Sequence, residues 1–260
     1  MYDGMMANQM IAALMSGGLV GFSLGFIGGG GSILATPLLL YVVGVRDVHT
    51  AVGTGALAVS VNAYLNLGSH AVKGHVWWRC AAIFAIVGAL AALAGSSLGK
   101  RIDGGLLLIG FAVVMLVVSL LMFRPLRIRQ VVDAGSLDGK AHLKLCAIAL
   151  VAGFCSGLFG IGGGFLIVPG LMFSVGMPVL NAVGSSLLAV GTFGLASALN
   201  YALSGMIDWQ VAMEFILGGV IGGVIGMALC LRLSGRQEIV KRVFGAVVLC
   251  TALFILFARS

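Results

Sequence analysis

Two runs of adjacent glycines are the residues of this chain best suited to chemistry: Gly28-Gly29-Gly30-Gly31, and Gly162-Gly163-Gly164 with Gly160 just before it. Each run lies inside a long apolar stretch and is followed by a proline, Pro37 or Pro169. Glycine costs about 1 kcal/mol relative to alanine in a helix interior. Such runs therefore predict a break in a helix. A broken helix leaves unpaired N–H groups at the start of its next arm, where the dipole adds partial positive charge. Without a Cβ, the backbone also admits close approach by a ligand and turns that gather successive N–H groups. The expected chemistry is anion binding by the main chain. Ser32 ends the first run where Gly164 ends the second, so the two half-sites need not be equivalent.

Hydroxyl and amide groups inside the apolar runs are the second set. Thr54, Ser60, Asn62 and Asn66 occupy one run; Ser185, Ser186, Thr192, Ser197 and Asn200 occupy another. They could complete an anion's hydrogen bonds without a buried charge. Each also has a simpler reading as an interhelical hydrogen bond, worth about 0.6 kcal/mol on average. Thr54 and Ser185 are the strongest single candidates because they hold equivalent places in a repeat. The expected substrate-binding set is Gly28, Gly29, Gly30, Gly31, Ser32, Thr54, Asn62, Gly160, Gly162, Gly163, Gly164, Ser185, Ser186 and Asn200. No Lys or Arg stands at the centre of an apolar run, so backbone dipoles must do most of the work there.

Catalysis is not expected. Gly21-Phe22-Ser23-Leu24-Gly25 fits a nucleophile-elbow pattern, which needs a strand-turn-helix setting. Here the setting is an apolar helix, and the second copy has Cys155 in place of Ser23. The glycine run is not followed by Gly-Lys-Ser/Thr, so it is not a P-loop. No His, Cys, Asp and Glu cluster has metal-ligand spacing, and no cofactor is implied. The five cysteines form no Cys-x-x-Cys pair and read as small buried apolar residues.

The elements that must position these residues follow from composition. Hydrophobic residues make up 60% of the chain and charged residues 9%, with mean hydropathy +1.16. Soluble domains carry about 25% charged residues, so lipid must be the solvent for much of this chain. The net charge of +7 sits in short loops between apolar runs, a pattern of topology signals rather than of a nucleic-acid surface. No Lys or Arg precedes Arg46, and no cleavable signal peptide is expected.

Apolar runs cover 9–44, 50–68, 77–99, 104–123, 145–175, 181–203, 210–231 and 241–258. Most suit one crossing of a hydrocarbon core roughly 30 Å thick. The two runs that contain the glycines are too long for a single upright helix. The chain also repeats itself. Gly21 to Gly31 aligns with Gly153 to Gly163, and Pro37 falls on Pro169 without a gap. After a one-residue shift, Ala51-Val52-Gly53-Thr54 matches Ala182-Val183-Gly184-Ser185. Gly74, Trp78, Gly88, Gly95 and Arg101 fall on Gly205, Trp209, Gly219, Gly226 and Arg232. The expected fold is therefore an all-α integral membrane protein of two homologous halves, 1–123 and 145–260, joined by a polar basic linker, 124–144.

Charge distribution selects their orientation. If each long run returns to the side it left, one side collects Lys73, Arg79, Arg124, Arg127, Arg129, Lys140, Lys144, Arg232, Arg236, Lys241 and Arg242. The other keeps Arg46, Lys100, Arg101 and Arg259. That asymmetry is a positive-inside signal. It predicts inverted repeats, a cytoplasmic linker and both termini outside. Inverted repeats around discontinuous helices are a recurrent transporter design.

At the paired motifs, Gly21-Phe22 through Gly31 with Pro37 and Gly153-Phe154 through Gly164 with Pro169, the sequence resembles the TauE/SafE sulfite exporter family. The likeness spans nearly the whole chain, duplication and linker included. It implies an anion permease of the cytoplasmic membrane, with sulfite or an organosulfonate such as sulfoacetate as cargo, and export as the direction. The expected function is thus a secondary transporter of a small sulfur-containing oxyanion. An anion channel is the nearest alternative and a membrane-embedded enzyme a remote one. The expected partners are the lipid bilayer and that anion, with no nucleic acid; a homo-oligomer is compatible with the sequence. One expectation can be checked directly. In a background without native cysteines, Ser136→Cys and Ser260→Cys should label from opposite sides of the membrane; labelling from one side rules out the inverted topology.

Overall fold

The computed structural model describes residues 2–123, 139–160, 164–232, 246, 249–255 and 257. The elements are α1 (Tyr2–Ile27), a 3-10 turn (Gly28–Leu34), α2 (Ala35–Tyr41), α3 (Val48–Val72), α4 (Trp78–Gly99) and α5 (Gly104–Phe123). They continue with α6 (Gly139–Phe159), α7 (Gly164–Val175), α8 (Val179–Ala202) and α9 (Trp209–Arg232). No strand occurs among the described residues. The all-α integral membrane class expected from composition is the observed one. Among the described residues, five helical segments are long and apolar enough to cross a bilayer: Ala7–Ile27, Trp78–Gly99, Ala141–Phe159, Leu180–Ala202 and Trp209–Leu229.

Local sequence explains where several helices start. Asp47 caps α3, its carboxylate accepting from Thr50 N at 2.7 Å and Thr50 Oγ1 at 2.8 Å. Asp103 accepts from Gly105 N at 2.8 Å at the start of α5, and Asp208 from Val211 N at 3.1 Å at the start of α9. Each cap stands in a connection between helices. Partial burial pushes the Asp47 carboxyl up, but the two Thr50 hydrogen bonds and the adjacent His49 outweigh it and hold the group below its ordinary range.

Polarity is distributed as lipid requires. Leu90, Met213, Leu217, Ile221 and Val224 are exposed on the outer faces of α4 and α9. Thr54, Asn62, Ser185, Ser186 and Ser197 are fully buried. A lipid-facing surface of this kind would be an aggregation hazard in water.

Packing follows the sequence repeat. Under its alignment α1 corresponds to α6, α3 to α8 and α4 to α9. Helix α1 packs on α9, α6 packs on α4, and α3 packs on α8. The first two pairs are thus equivalents of each other, and the third is its own equivalent. Each half is completed by helices of the other. The six glycines with positive φ among the described residues are also equivalents in pairs: Gly28 and Gly160, Gly44 and Gly176, Gly74 and Gly205. Turns are repeated along with helices.

Spaced glycines allow the close crossings. A Cβ on Gly17, Gly21 or Gly25 would strike the backbone of α9 at Phe215, Gly219 or Gly223. A Cβ on Gly222 would strike the backbone of Gly18. At the equivalent crossing, Gly153 and Gly157 meet the backbones of Gly88 and Ala92. Small residues permit such backbone approach within membranes. Gly222→Leu should therefore cost about 1–3 kcal/mol or more through overpacking, read as a lower detergent melting temperature and less folded protein. Wild-type stability in that variant would contradict the close-packed α1–α9 contact.

Candidate anion site at the paired glycine breaks

Helix α1 ends at Ile27, and Gly28 adopts φ 76°. Helix α6 ends at Phe159, and Gly160 adopts φ 65°. Left-handed backbone just past a helix end favours glycine, because a Cβ is strained there. The first break continues as the 3-10 turn, while the second resumes as α7 at Gly164. Gly162 and Gly163 lie outside the described residues. After its break the first arm folds back on α1: a Cβ on Gly31 would lie 2.5 Å from Leu24 N. The start of α1 (Asn8, Gln9, Ala12) and the chain after α2 (Val42 to Asp47) line one shared pocket. The long run therefore goes out and returns to the end where it began.

The two breaks touch. A Cβ on Gly29 would lie 2.6 Å from Gly164 Cα and 2.6 Å from Val190 Cγ2. A Cβ on Gly164 would overlap the Gly29 backbone. Neither position has room for a side chain. Each break also rests on the first turns of the central helix from the other half. Gly28 packs on Val183 and Ser186 of α8, and Gly160 packs on Val52 of α3.

Hydroxyls hold the first break. Ser186 Oγ accepts from Gly29 N at 3.1 Å and donates to Val183 O at 2.7 Å. Ser32 Oγ donates to Gly29 O at 2.8 Å. Both sides of the Gly29 residue are thereby engaged by side chains. Thr36 Oγ1 donates to Phe159 O at 3.5 Å, linking the first arm to the end of α6. Thr36 is a residue that sequence reading passed over; its only signal was its place beside Pro37.

Thr54 and Ser185 have equivalent geometry as well as equivalent sequence positions. Thr54 Oγ1 accepts from Asp208 N at 2.9 Å, and Ser185 Oγ accepts from Trp77 N at 2.9 Å. Each hydroxyl fastens the residue before α9 or α4 to the central helix of the other half. Asn62 is fully buried against Gly219, and neither of its amide atoms has a hydrogen-bond partner. Asn66 donates to Asn62 O at 2.8 Å. Asn200 stands elsewhere, near the far end of α8, where its Oδ1 accepts from Lys100 Nζ at 2.7 Å and its Nδ2 donates to Ser96 Oγ at 2.7 Å. The structure thus gathers Gly28, Gly29, Gly31, Ser32, Gly164 and Ser186 at one place, with Gly30 inside the same turn. It puts Asn200 in a separate network.

This fold defines a multi-pass helical membrane protein with interlocked halves meeting at broken helices. Residues 13–255 match the family model described as "Sulfite exporter TauE/SafE". The chain belongs to the TauE/SafE sulfite exporter family. It is 53% identical over 253 residues to a "Probable membrane transporter protein" of Xylella fastidiosa strain 9a5c, covering 97% of each chain. It is 29% identical to the "Probable membrane transporter protein MJ0441" of Methanocaldococcus jannaschii, over 75% of this chain and 71% of that one. A 79-residue stretch, 30% of this chain and 17% of the other, is 37% identical to "Sulfite exporter TauE/SafE family protein 5" of Arabidopsis thaliana. No solved structure matches the chain significantly.

The cross-half hydroxyl bonds carry a stability prediction. Thr54→Val and Ser185→Ala each strand a part-buried N–H, at an expected cost of about 1–3 kcal/mol. Ser97→Ala, at an exposed hydroxyl, should change little. Detergent melting curves that rank Ser97→Ala with the other two would contradict this role.

Proposed function

We propose that this protein is a secondary transporter of the cytoplasmic membrane that exports a small sulfur oxyanion, sulfite or an organosulfonate such as sulfoacetate, around its paired glycine breaks. The observation that carries the reading is the contact of Gly29 with Gly164, where two breaks from different halves converge on one point. Helix breaks provide N–H groups and dipole for an anion. The family description supports sulfite or a related anion as cargo and export as direction. Transport involves no catalytic step in this reading.

The organisation belongs to the same proposal. Residues 1–123 and 145–260 form inverted halves, and the linker 124–144 is cytoplasmic. The equivalence of the α1–α9 and α6–α4 pairs supports two-fold relation of the halves. The return of the first long run to its starting end supports inversion. Rocking of one broken arm against its counterpart then exposes the site to either side in turn. Ser186 already occupies the Gly29 N–H, so the incoming anion must share or displace that hydroxyl. Thr54, Ser185 and Asn62 shape the surroundings of the site.

Uptake into proteoliposomes tests the reading, with sulfite, sulfoacetate, sulfate and the zwitterion taurine as probes. The oxyanions should move and taurine should lag. Gly29→Ala must displace Gly164 or Val190, so its flux is measured per folded, membrane-inserted molecule; on that basis it should fall at least about tenfold, a loss corresponding to about 1.4 kcal/mol. A folded Gly29→Ala protein that transports at the wild-type rate would remove the breaks from the site.

A further inference from the structure

His70 stands in the last turn of α3 and is fully buried. Neither of its ring nitrogens has a hydrogen-bond partner. A neutral imidazole always carries one N–H donor. Buried polar groups are ordinarily paired, so this one calls for a reason.

Its neighbours supply the reason. On one side the ring faces the backbone of Gly25, in the final turn of α1 before the break, short of hydrogen-bond geometry. On another it meets α8: a Cβ built on Gly184 would lie 3.3 Å from His70 Cβ. Gly184 stands two residues before Ser186, which holds the Gly29 N–H. His70 thus sits between the last turn of α1 before the break and the first turns of α8. Toward the α3–α4 connection its ring centroid lies 5.8 Å from that of His75, which is only partly buried. Among the described residues, the charged or titratable groups facing His70 are His75 and Lys73. Helix α1 contributes the Gly25 backbone and α8 the Gly184 backbone, neither of which titrates. The equivalent residue in the other half is Tyr201, also fully buried with an unpartnered hydroxyl. A phenol ordinarily titrates only near pH 10. Only the first half therefore offers an imidazole at this place, a side chain that becomes a cation when it binds a proton.

We infer that His70 is the coupling-proton site of the transporter, loaded through His75, and that its proton travels in the same direction as the anion bound at the adjacent glycine break. The proton adds to the free ring nitrogen and leaves from it; no other bond changes. A protonated ring carries two N–H donors. The second can reach the Gly25 carbonyl and steady the helix end that forms the break. Its charge offsets that of the anion while both are away from water. The inference rests on the transport reading above and adds the coupling ion to it.

The test uses the full-length protein in vesicles with a trapped pH dye. Sulfoacetate and sulfate are the probes, because neither titrates near neutral pH as sulfite does. Wild-type protein should move protons with the anion, in the same direction. His70→Gln, and His70→Asn as a second variant, should keep anion exchange while losing at least about tenfold of the accompanying proton movement. Anion flux without proton movement in the wild type overturns the inference, whatever the variants do, and leaves transport intact. Proton movement opposite to the anion overturns it too, as does undiminished proton coupling in either folded variant. Absence of flux for both probes and for sulfite overturns the transport reading and this inference with it.

Discussion

A bilayer offers no hydrogen-bond partner to a peptide group, and the rest of this structure depends on that constraint. Irregular backbone at membrane depth must be enclosed by protein or line a cavity. The two glycine breaks are such backbone, and they are enclosed by each other. Gly29 lies on Gly164, and each break rests on the first turns of a central helix, α8 or α3. Among the described residues, those two helices carry half of the buried polar side chains. The apolar helices α1, α4, α6 and α9 stand outside them and face lipid.

Glycine does two different jobs here, and geometry separates them. Spaced glycines on α1, α4, α6 and α9 let helix backbones touch along two equivalent crossings. Contiguous glycines let the chain turn, with left-handed backbone at Gly28 and Gly160, and let two turns share one point. The first job concerns stability of the bundle. The second sets where the two breaks meet. Thr54 and Ser185 connect the two, since each ties the start of an outer helix to a central helix beside a break.

Shared architecture does not make the halves chemically alike. Ser186 caps the Gly29 N–H, whereas the equivalent position in α3 is Gly55, which has no hydroxyl to offer. Ser32 faces Gly164 across the alignment, and His70 faces Tyr201. The first break is consequently the more heavily furnished with side chains among the described residues.

Much of this was legible in the amino-acid sequence because it follows from composition and local rules. Low charge and long apolar runs require a helical membrane protein. Glycine runs within them predict breaks, and the internal alignment paired the two breaks, the turns at Gly74 and Gly205, and the hydroxyls of Thr54 and Ser185; the turns at Gly44 and Gly176 emerged from the structure. Thr54 and Ser185 could be singled out for that reason alone. Partnership was decided only by the tertiary structure. Nothing in the local sequence says that Thr54 accepts from Asp208, that Ser186 holds Gly29, or that Asn200 belongs with Lys100 rather than with the breaks. Those contacts join residues more than ninety positions apart, and helix packing sets them. The solitude of His70 is of the same kind: a histidine near a helix end reads as a loop residue until α1 and α8 close over it.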